Sequence, residues 1–345
     1  MGRRGAHLGD QRAVSASTHP KAMVDRRAWL GELTSRYGLI GIFVLEIAFF
    51  SILRPSTFPT STNAQAIAST NAVVGLLALG AMLPLVVGQF DVSVGFQLGL
   101  SQTLCAGLII NDGWSAGPAA LAAVGACLVV GLANGLLVTR LGLSSFISTL
   151  GVGTVVLGLT ELYGNDLTIS GPLPNSFTSL GRNGVAGVPL PFIYVIVAMG
   201  VLWLALEYTS WGRECHATGG NQRAALLAGV RTQRVVVQSF VLSGLLCGLA
   251  GVLSVMILGA AAPTVGLGEL LPAFAAAFLG ATAIRPGRFN SVGTVLAIYV
   301  LAAGITGLQM LGAQFYVQQL FNGGALLIGV SLSAVAARGR GRRIA

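Results

Sequence analysis

Lysine is almost missing from this chain. Lys21 is the single one among 345 residues, although arginine is frequent and the formal net charge is +9. A phosphate-cradling loop of the form GxxxxGK[ST] needs a lysine that reaches the nucleotide phosphates. None can be built around Lys21, so any ATP that drives this protein is bound by another chain. Acids are also scarce: Asp and Glu number 11, and charged residues make up 9% of the sequence. They are dispersed, with no recognisable Ser, His and Asp arrangement for nucleophilic catalysis. His7, His19 and His216 lie far apart and show no metal-ligand spacing. The four cysteines have no paired spacing either. Cys105, Cys127 and Cys247 sit in apolar runs and Cys215 in a polar stretch, and all read as small core fillers. The chain is therefore not expected to be an enzyme or to carry a cofactor of its own.

What is present is apolar surface. Hydrophobic residues make up 54% of the chain and the mean hydropathy is +0.80. No soluble domain needs so much, so the composition points to a polytopic membrane protein. The basic excess lies at the chain ends and in short loops. That is the topological bias of cytoplasmic segments, and nucleic acid is not an expected partner.

Residues 1–36 carry Arg3, Arg4, Arg12, Lys21, Arg26, Arg27 and Arg36 and no apolar run. They read as a disordered basic cytoplasmic tail rather than a cleavable leader. The first span is expected at 37–53, followed by a Pro/Thr/Ser loop at 54–65. Further spans are expected at 72–88, 92–111, 116–138, 143–163, 188–207, 235–258, 269–284, 290–311 and 315–335. With both termini inside, all of the 20 Lys and Arg except Arg54 and Arg182 fall on the inner side. A bias of this size orients the chain. The expected fold is thus an all-α transmembrane bundle of about ten spans with both termini cytoplasmic. A transmembrane domain would cover 37–336, with an inner loop at 208–234 and a basic tail at 337–345. The loop 164–187 faces outward.

The inner loop is the longest polar interruption of the apolar second half. Gly219 and Gly220 break the chain, Asn221 can cap a short helix over 222–228, and Gly229 can end it. Ala224 and Ala225 would give that helix a small face that another protein could approach. A capped loop helix with no partner is the alternative. Elsewhere, Asp91 stands near a span end. There it can cap the next helix, serve a transport path, or do both. Glu46 lies inside the first span and matches no motif. Gly99, Gly107, Gly125, Gly131 and Gly135 read as helix-packing positions. Gly88 to Gly95 faintly echoes Gly287 to Gly293, which a parallel duplication or a chance match both explain.

Four places carry a resemblance to a known family. The first is GQFDVSVG at Gly88 to Gly95, similar to GGIDLSVG, where Asp91, Ser93 and Gly95 match while Gln89 and Phe90 depart. The second is Asn134 and Gly135 with Ser145 to Gly151, including Phe146 and Thr149; Ser144 and Ser145 stand where the family has a proline shortly before the phenylalanine. The third is Thr209, Gly212, Arg213, Ala217, Gly219, Gly220, Asn221, Ala224, Ala225, Gly229 and Val230. The fourth is Pro263, Glu269, Leu270, Ala275, Ala276, Leu279 and Gly280, with Ala281 breaking a double glycine. Over about 71–329 the chain resembles the membrane permease subunits of ATP-binding-cassette importers for monosaccharides of the ribose, xylose, arabinose and galactose type.

That resemblance implies a ten-helix permease paired with a second copy or a paralogue and surrounded by membrane lipid. ATPase subunits, which hold ATP and Mg, dock on its cytoplasmic loops. An extracytoplasmic binding protein delivers the sugar. Gly219, Gly220, Asn221, Ala224, Ala225 and Gly229 become the coupling element, and Asp91, Ser93, Gly95, Phe146 and Thr149 become translocation-path candidates. Nucleoside, autoinducer-2 or branched-chain amino acid cargo stays open, as does an ion-driven secondary transporter. The latter typically needs several acids at mid-membrane, and only Glu46 lies deep in a span.

Overall fold

A computed structural model describes residues 26–341, with side chains from 37 to 332. The chain is almost wholly helical. Each of the ten expected apolar runs falls on a helix: α1 (Arg26–Leu53), α3 (Ala72–Val86), α4 (Val94–Ile110), α5 (Ala116–Arg140), α6 (Ser145–Gly164), α8 (Leu190–Tyr208), α11 (Thr232–Leu258), α12 (Val265–Gly280), α13 (Ser291–Met310) and α14 (Tyr316–Gly341). Among the described residues, α5, α6, α8, α11 and α13 are long and apolar enough to cross a membrane alone. A sixth span arises if α2 (Ser61–Thr70) and α3, which meet at 41°, are taken together. Residues 37–53 of α1 and the helices α4 and α12 are apolar but shorter. The chain is a polytopic helical membrane protein.

Four helices lie outside the expected runs. α2 occupies part of the supposed Pro/Thr/Ser loop because Thr60 caps it, its Oγ1 accepting from Asn63 N at 3.2 Å. α7 (Asn175–Arg182) lies in the loop expected to face outward, and α9 (Ser210–Gly220) and α10 (Gln222–Leu227) make up the polar stretch. α1 begins at Arg26, within the expected basic tail; the rest of that tail lies outside the described residues. α12 starts four residues earlier than the run at 269–284, since Thr264 and Val265 already turn after Pro263.

α11 is the centre of the bundle and packs on α3, α4 and α5. Every residue of α3 except Val73 is buried. Small residues let the backbones close up. A Cβ on Gly131 of α5 would strike the Phe240 carbonyl of α11, and one on Gly244 would strike that of Cys127. Gly99, Gly107 and Gly135 are likewise contact positions, whereas a Cβ on Gly125 would meet nothing within 4 Å among the described residues. Leu121, Leu162 and Val155 are largely exposed on the outer helices, as suits side chains in lipid or against another subunit.

The loops sort to two ends. At one end Gly88 touches Gly219, Gln233 Nε2 donates to Thr139 O at 3.5 Å, and Arg285 pairs with Glu207. At the other, β1 (Ile169–Ser170) pairs antiparallel with β4 (Ala260–Ala261). There Gln65 Nε2 donates to Gly187 O at 2.9 Å, Tyr163 Oη to Asp112 Oδ2 at 2.9 Å and Arg182 Nε to Ile257 O at 3.0 Å. A separate hairpin, β2 (Gly184–Val185) and β3 (Val188–Pro189), leads into α8. Every one of these contacts joins segments that the arginine distribution assigns to the same side.

Candidate functional site

Two regions gather the motif residues. The first is the junction between α3 and α4. Gly88 takes φ +77, a left-handed conformation open to glycine, and turns the chain toward α4. Asp91 is then fully buried. A buried carboxylate needs donors, and three are present. Ser93 N and Ser93 Oγ donate to Oδ1 at 3.1 and 2.5 Å, and Ser243 Oγ of α11 donates to Oδ2 at 3.1 Å. Ser93 Oγ in turn accepts from Gln97 Nε2 and from Asn134 Nδ2 of α5, both at 2.8 Å. Gln97 Oε1 and Asn134 Oδ1 are buried with no donor of their own. Gly95 sits where α4 crosses the start of α12; a Cβ there would come within 2.5 Å of Gly266 O.

The backbone on both sides of Asp91 is held by α6. Phe90 N donates to Ser145 Oγ at 3.1 Å and Val92 N to Thr149 Oγ1 at 3.0 Å. Thr149 Oγ1 in turn donates to Ser145 O at 2.8 Å. Phe146 is not brought into this cluster. Its side chain is 52% exposed, while Thr149, one turn further on, is buried. Ser243 and Gln97 were not picked out from the sequence. Their signal was there: polar side chains inside apolar spans, one of them a helical turn beyond Ser93.

The second region is the polar stretch. α9 is capped by Thr209, whose Oγ1 accepts from Gly212 N at 3.2 Å, and buries Gly212, Cys215 and Thr218 along one face. The helix runs through Gly219 and Gly220 instead of breaking there. The break comes at Asn221, which is extended at φ −157, and whose Oδ1 caps α10 by accepting from Ala224 N at 3.0 Å. Gly219 has a different use: it rests on the α3–α4 junction so closely that a Cβ would strike the Val86 carbonyl. Gly229 (φ +87) ends the helix, and Val230 N donates to Ala225 O at 3.0 Å. Ala225 is buried against the chain itself, so it is not part of the exposed small face. That face consists of Ala224 with Gln222, Arg223, Leu226 and Leu227, the last 90% exposed.

His216 lies partly buried on α9. Burial lowers its pKa to about 4, aided by the positive charges of Arg288 and Arg285. It is therefore neutral at physiological pH. Cys215 beside it is pushed up to about 12 by burial, with a contribution from Glu214, and stays a thiol.

The sequence pattern of a family described as the permease component of the branched-chain amino acid transport system matches residues 63–330. The chain belongs to this permease family. It is a multi-pass protein of the cell membrane and a transport subunit, not an enzyme. The chain is 37% identical over 294 residues to the ribose import permease protein RbsC of Bacillus subtilis (strain 168), covering 85% of this chain and 90% of that protein. The D-allose transport system permease protein AlsC of Escherichia coli (strain K12) is 31% identical over 300 residues, covering 86% and 91%. The L-arabinose ABC transporter permease protein AraH of Azospirillum brasilense is 29% identical over 309 residues, covering 88% and 89%. No solved structure matches the chain.

Proposed function

We propose that the chain is the permease subunit of an ATP-binding-cassette importer whose cargo is a monosaccharide, with both termini and the α9–α10 segment in the cytoplasm. The observation that carries the cargo is the near full-length likeness to permeases named for ribose, allose and arabinose. Orientation is supported by the arginine distribution and by the sorting of the loops to two ends. ATP hydrolysis falls to a partner subunit, and α10 offers it Ala224 and Leu227, which face away from the arginine-lined cleft. A binding protein would approach the opposite end, near α7 and the β1–β4 ribbon. Asp91, Ser93 and Thr149 hold the α3–α4 junction against α5, α6 and α11. Their role is to position the helices beside the path.

The test reconstitutes the permease with its ATPase and binding protein in vesicles and measures ATP-dependent uptake. Labelled ribose should enter, excess allose or arabinose should compete, and leucine should not. Competition by leucine alone would reassign the cargo. In the same assay Ala224→Glu, which strands a desolvated charge in the contact, should lower ATPase capture by about 30-fold or more; losses of this kind run to ~2–5 kcal/mol. Normal capture and uptake by that variant would remove α10 as the coupling element.

A further inference from the structure

The inner end of the bundle holds a cleft of about 700 Å³ between the end of α5, α10 and the start of α11. Arg140, Arg223, Arg231 and Arg234 all line it, and no acid does. All four are exposed, and none has an acidic partner among the described residues. Four guanidinium groups facing one space repel each other unless an anion sits between them. Leu136, Val237 and Leu226 add apolar surface to its lining.

Two apolar tracks end at these arginines. On α5, Val129, Leu132 and Leu136 are exposed at 66%, 42% and 39%, and their helical spacing leads one turn later to Arg140. On α11, Gln238 in the cleft is followed one turn on by Leu242. Leu242 opens a groove of about 520 Å³ between α11 and α8 that Leu245, Leu249, Val197 and Val201 also line. A basic cleft at the end of a membrane helix, with apolar helix faces running on from it into the membrane, fits one molecule of the bilayer. We propose that this cleft is a binding site for an anionic phospholipid, the guanidinium groups holding the phosphodiester and the α8–α11 groove holding an acyl chain. Guanidinium groups suit this task because their planar donor fork matches phosphate oxygens. A free phosphate would use the arginines and leave both tracks uncovered. An acidic protein surface would do the same. The inference requires only that the chain lies in a membrane, and it stands whichever cargo is carried.

The experiment compares the purified permease and an Arg140→Gln/Arg234→Gln double variant by native mass spectrometry and by thermal unfolding in detergent. Dioleoyl phosphatidylglycerol, dioleoyl phosphatidylcholine and inorganic phosphate are added separately. Phosphatidylglycerol should be retained over phosphatidylcholine and should raise the unfolding temperature, and phosphate alone should not. Near a membrane each arginine is worth about 1 kcal/mol toward anionic lipid, so the double variant should lose about 30-fold of that preference. Arg54→Gln, at the other end of the bundle, should lose none. If the double variant folds poorly, the wild-type preference should still weaken as salt is raised, as screening demands. An unchanged lipid preference in the folded double variant overturns the proposal. So does an equal shift with phosphate alone, or loss of ATPase capture with lipid retention intact; that last result would make the cluster a protein-docking face.

Discussion

Two junctions in this chain use the same local device for different ends. Gly88 between α3 and α4 has φ +77, and Gly287 between α12 and α13 has φ +78. Three residues after each glycine, a carboxylate or amide oxygen accepts a backbone N–H at the start of the following helix. Asp91 accepts from Ser93 N at 3.1 Å, and Asn290 accepts from Gly293 N at 2.7 Å. Beyond that the two diverge. Asn290 Nδ2 donates only to nearby carbonyls, those of Gly280, Ala283 and Arg288. Asp91 reaches Ser243 on another helix and, through Ser93, Asn134 on a third. The amide of the neutral junction finds all its acceptors within ten residues of itself. The acidic one holds because other helices bring it donors, so it fixes how those helices sit relative to one another.

This contrast can be broken most severely at Asp91. Asp91→Ala leaves a buried amide and two hydroxyls without their acceptor, at about 1–3 kcal/mol for each group left unsatisfied. The expected result is a loss of at least about 3 kcal/mol, read as a large drop in unfolding temperature and in membrane yield. Loss of uptake should follow that drop. Asn290→Ala should cost less, about 1–2 kcal/mol, because it removes a helix cap and its freed carbonyls lie at a loop. If the two alanine variants are equally unstable, the difference between a shared and a self-contained junction is illusory.

Asp91→Asn sharpens the comparison by making the first junction resemble the second. Its oxygen still accepts from Ser93 N, and Ser243 can turn to accept from the new amide. A loss under about 1 kcal/mol with near-normal uptake is expected. A variant as stable as wild type that no longer transports would instead place the carboxylate in the path of the cargo.

The smallest effect concerns His216, which adjoins the Arg285 and Arg288 loop of the second junction. Its ordinary pKa of 6.5 is lowered to about 4 in the fold. The unfolded chain thus binds a proton first as the medium is acidified. The stability associated with the neutral ring is complete above about pH 6.5 and is lost as pH falls toward 4. His216→Gln should flatten that acid limb in unfolding measurements between pH 7 and pH 4. An unchanged limb would assign it to other groups.

The apolar helices were legible in the sequence because a membrane protein must carry them as long apolar runs: all ten expected runs fall on helices. α2, α7 and α9 were not legible, since they are short, polar or mixed, and hydropathy carries no signal for them. For α2 the cap at Thr60 was readable in principle. At the polar stretch, Asn221 and Gly229 were read by local chemistry, and their capping geometry is local. Gly219 was read as a chain breaker because its true contact, the Val86 carbonyl, is far away in sequence. Ala225 was grouped with Ala224 for the same reason: a six-residue helix does not announce which side its own protein covers. Asp91 was seen as a cap, but Ser243 and Asn134, which complete its surroundings, come from α11 and α5 and only the fold unites them.

Gly219 lying on Val86 and Gly88 has one more consequence. Where side chains separate two helices, a push on one is partly absorbed as rotamers shift and small voids close. Here peptide rests on peptide, and neither side has a χ angle to turn. A tilt of α9 by an ångström must therefore reappear at the Asp91 loop almost undiminished. The contact works as a rigid strut, and any cushion inserted into it, even a single methyl group, would lengthen the strut before it softened the load.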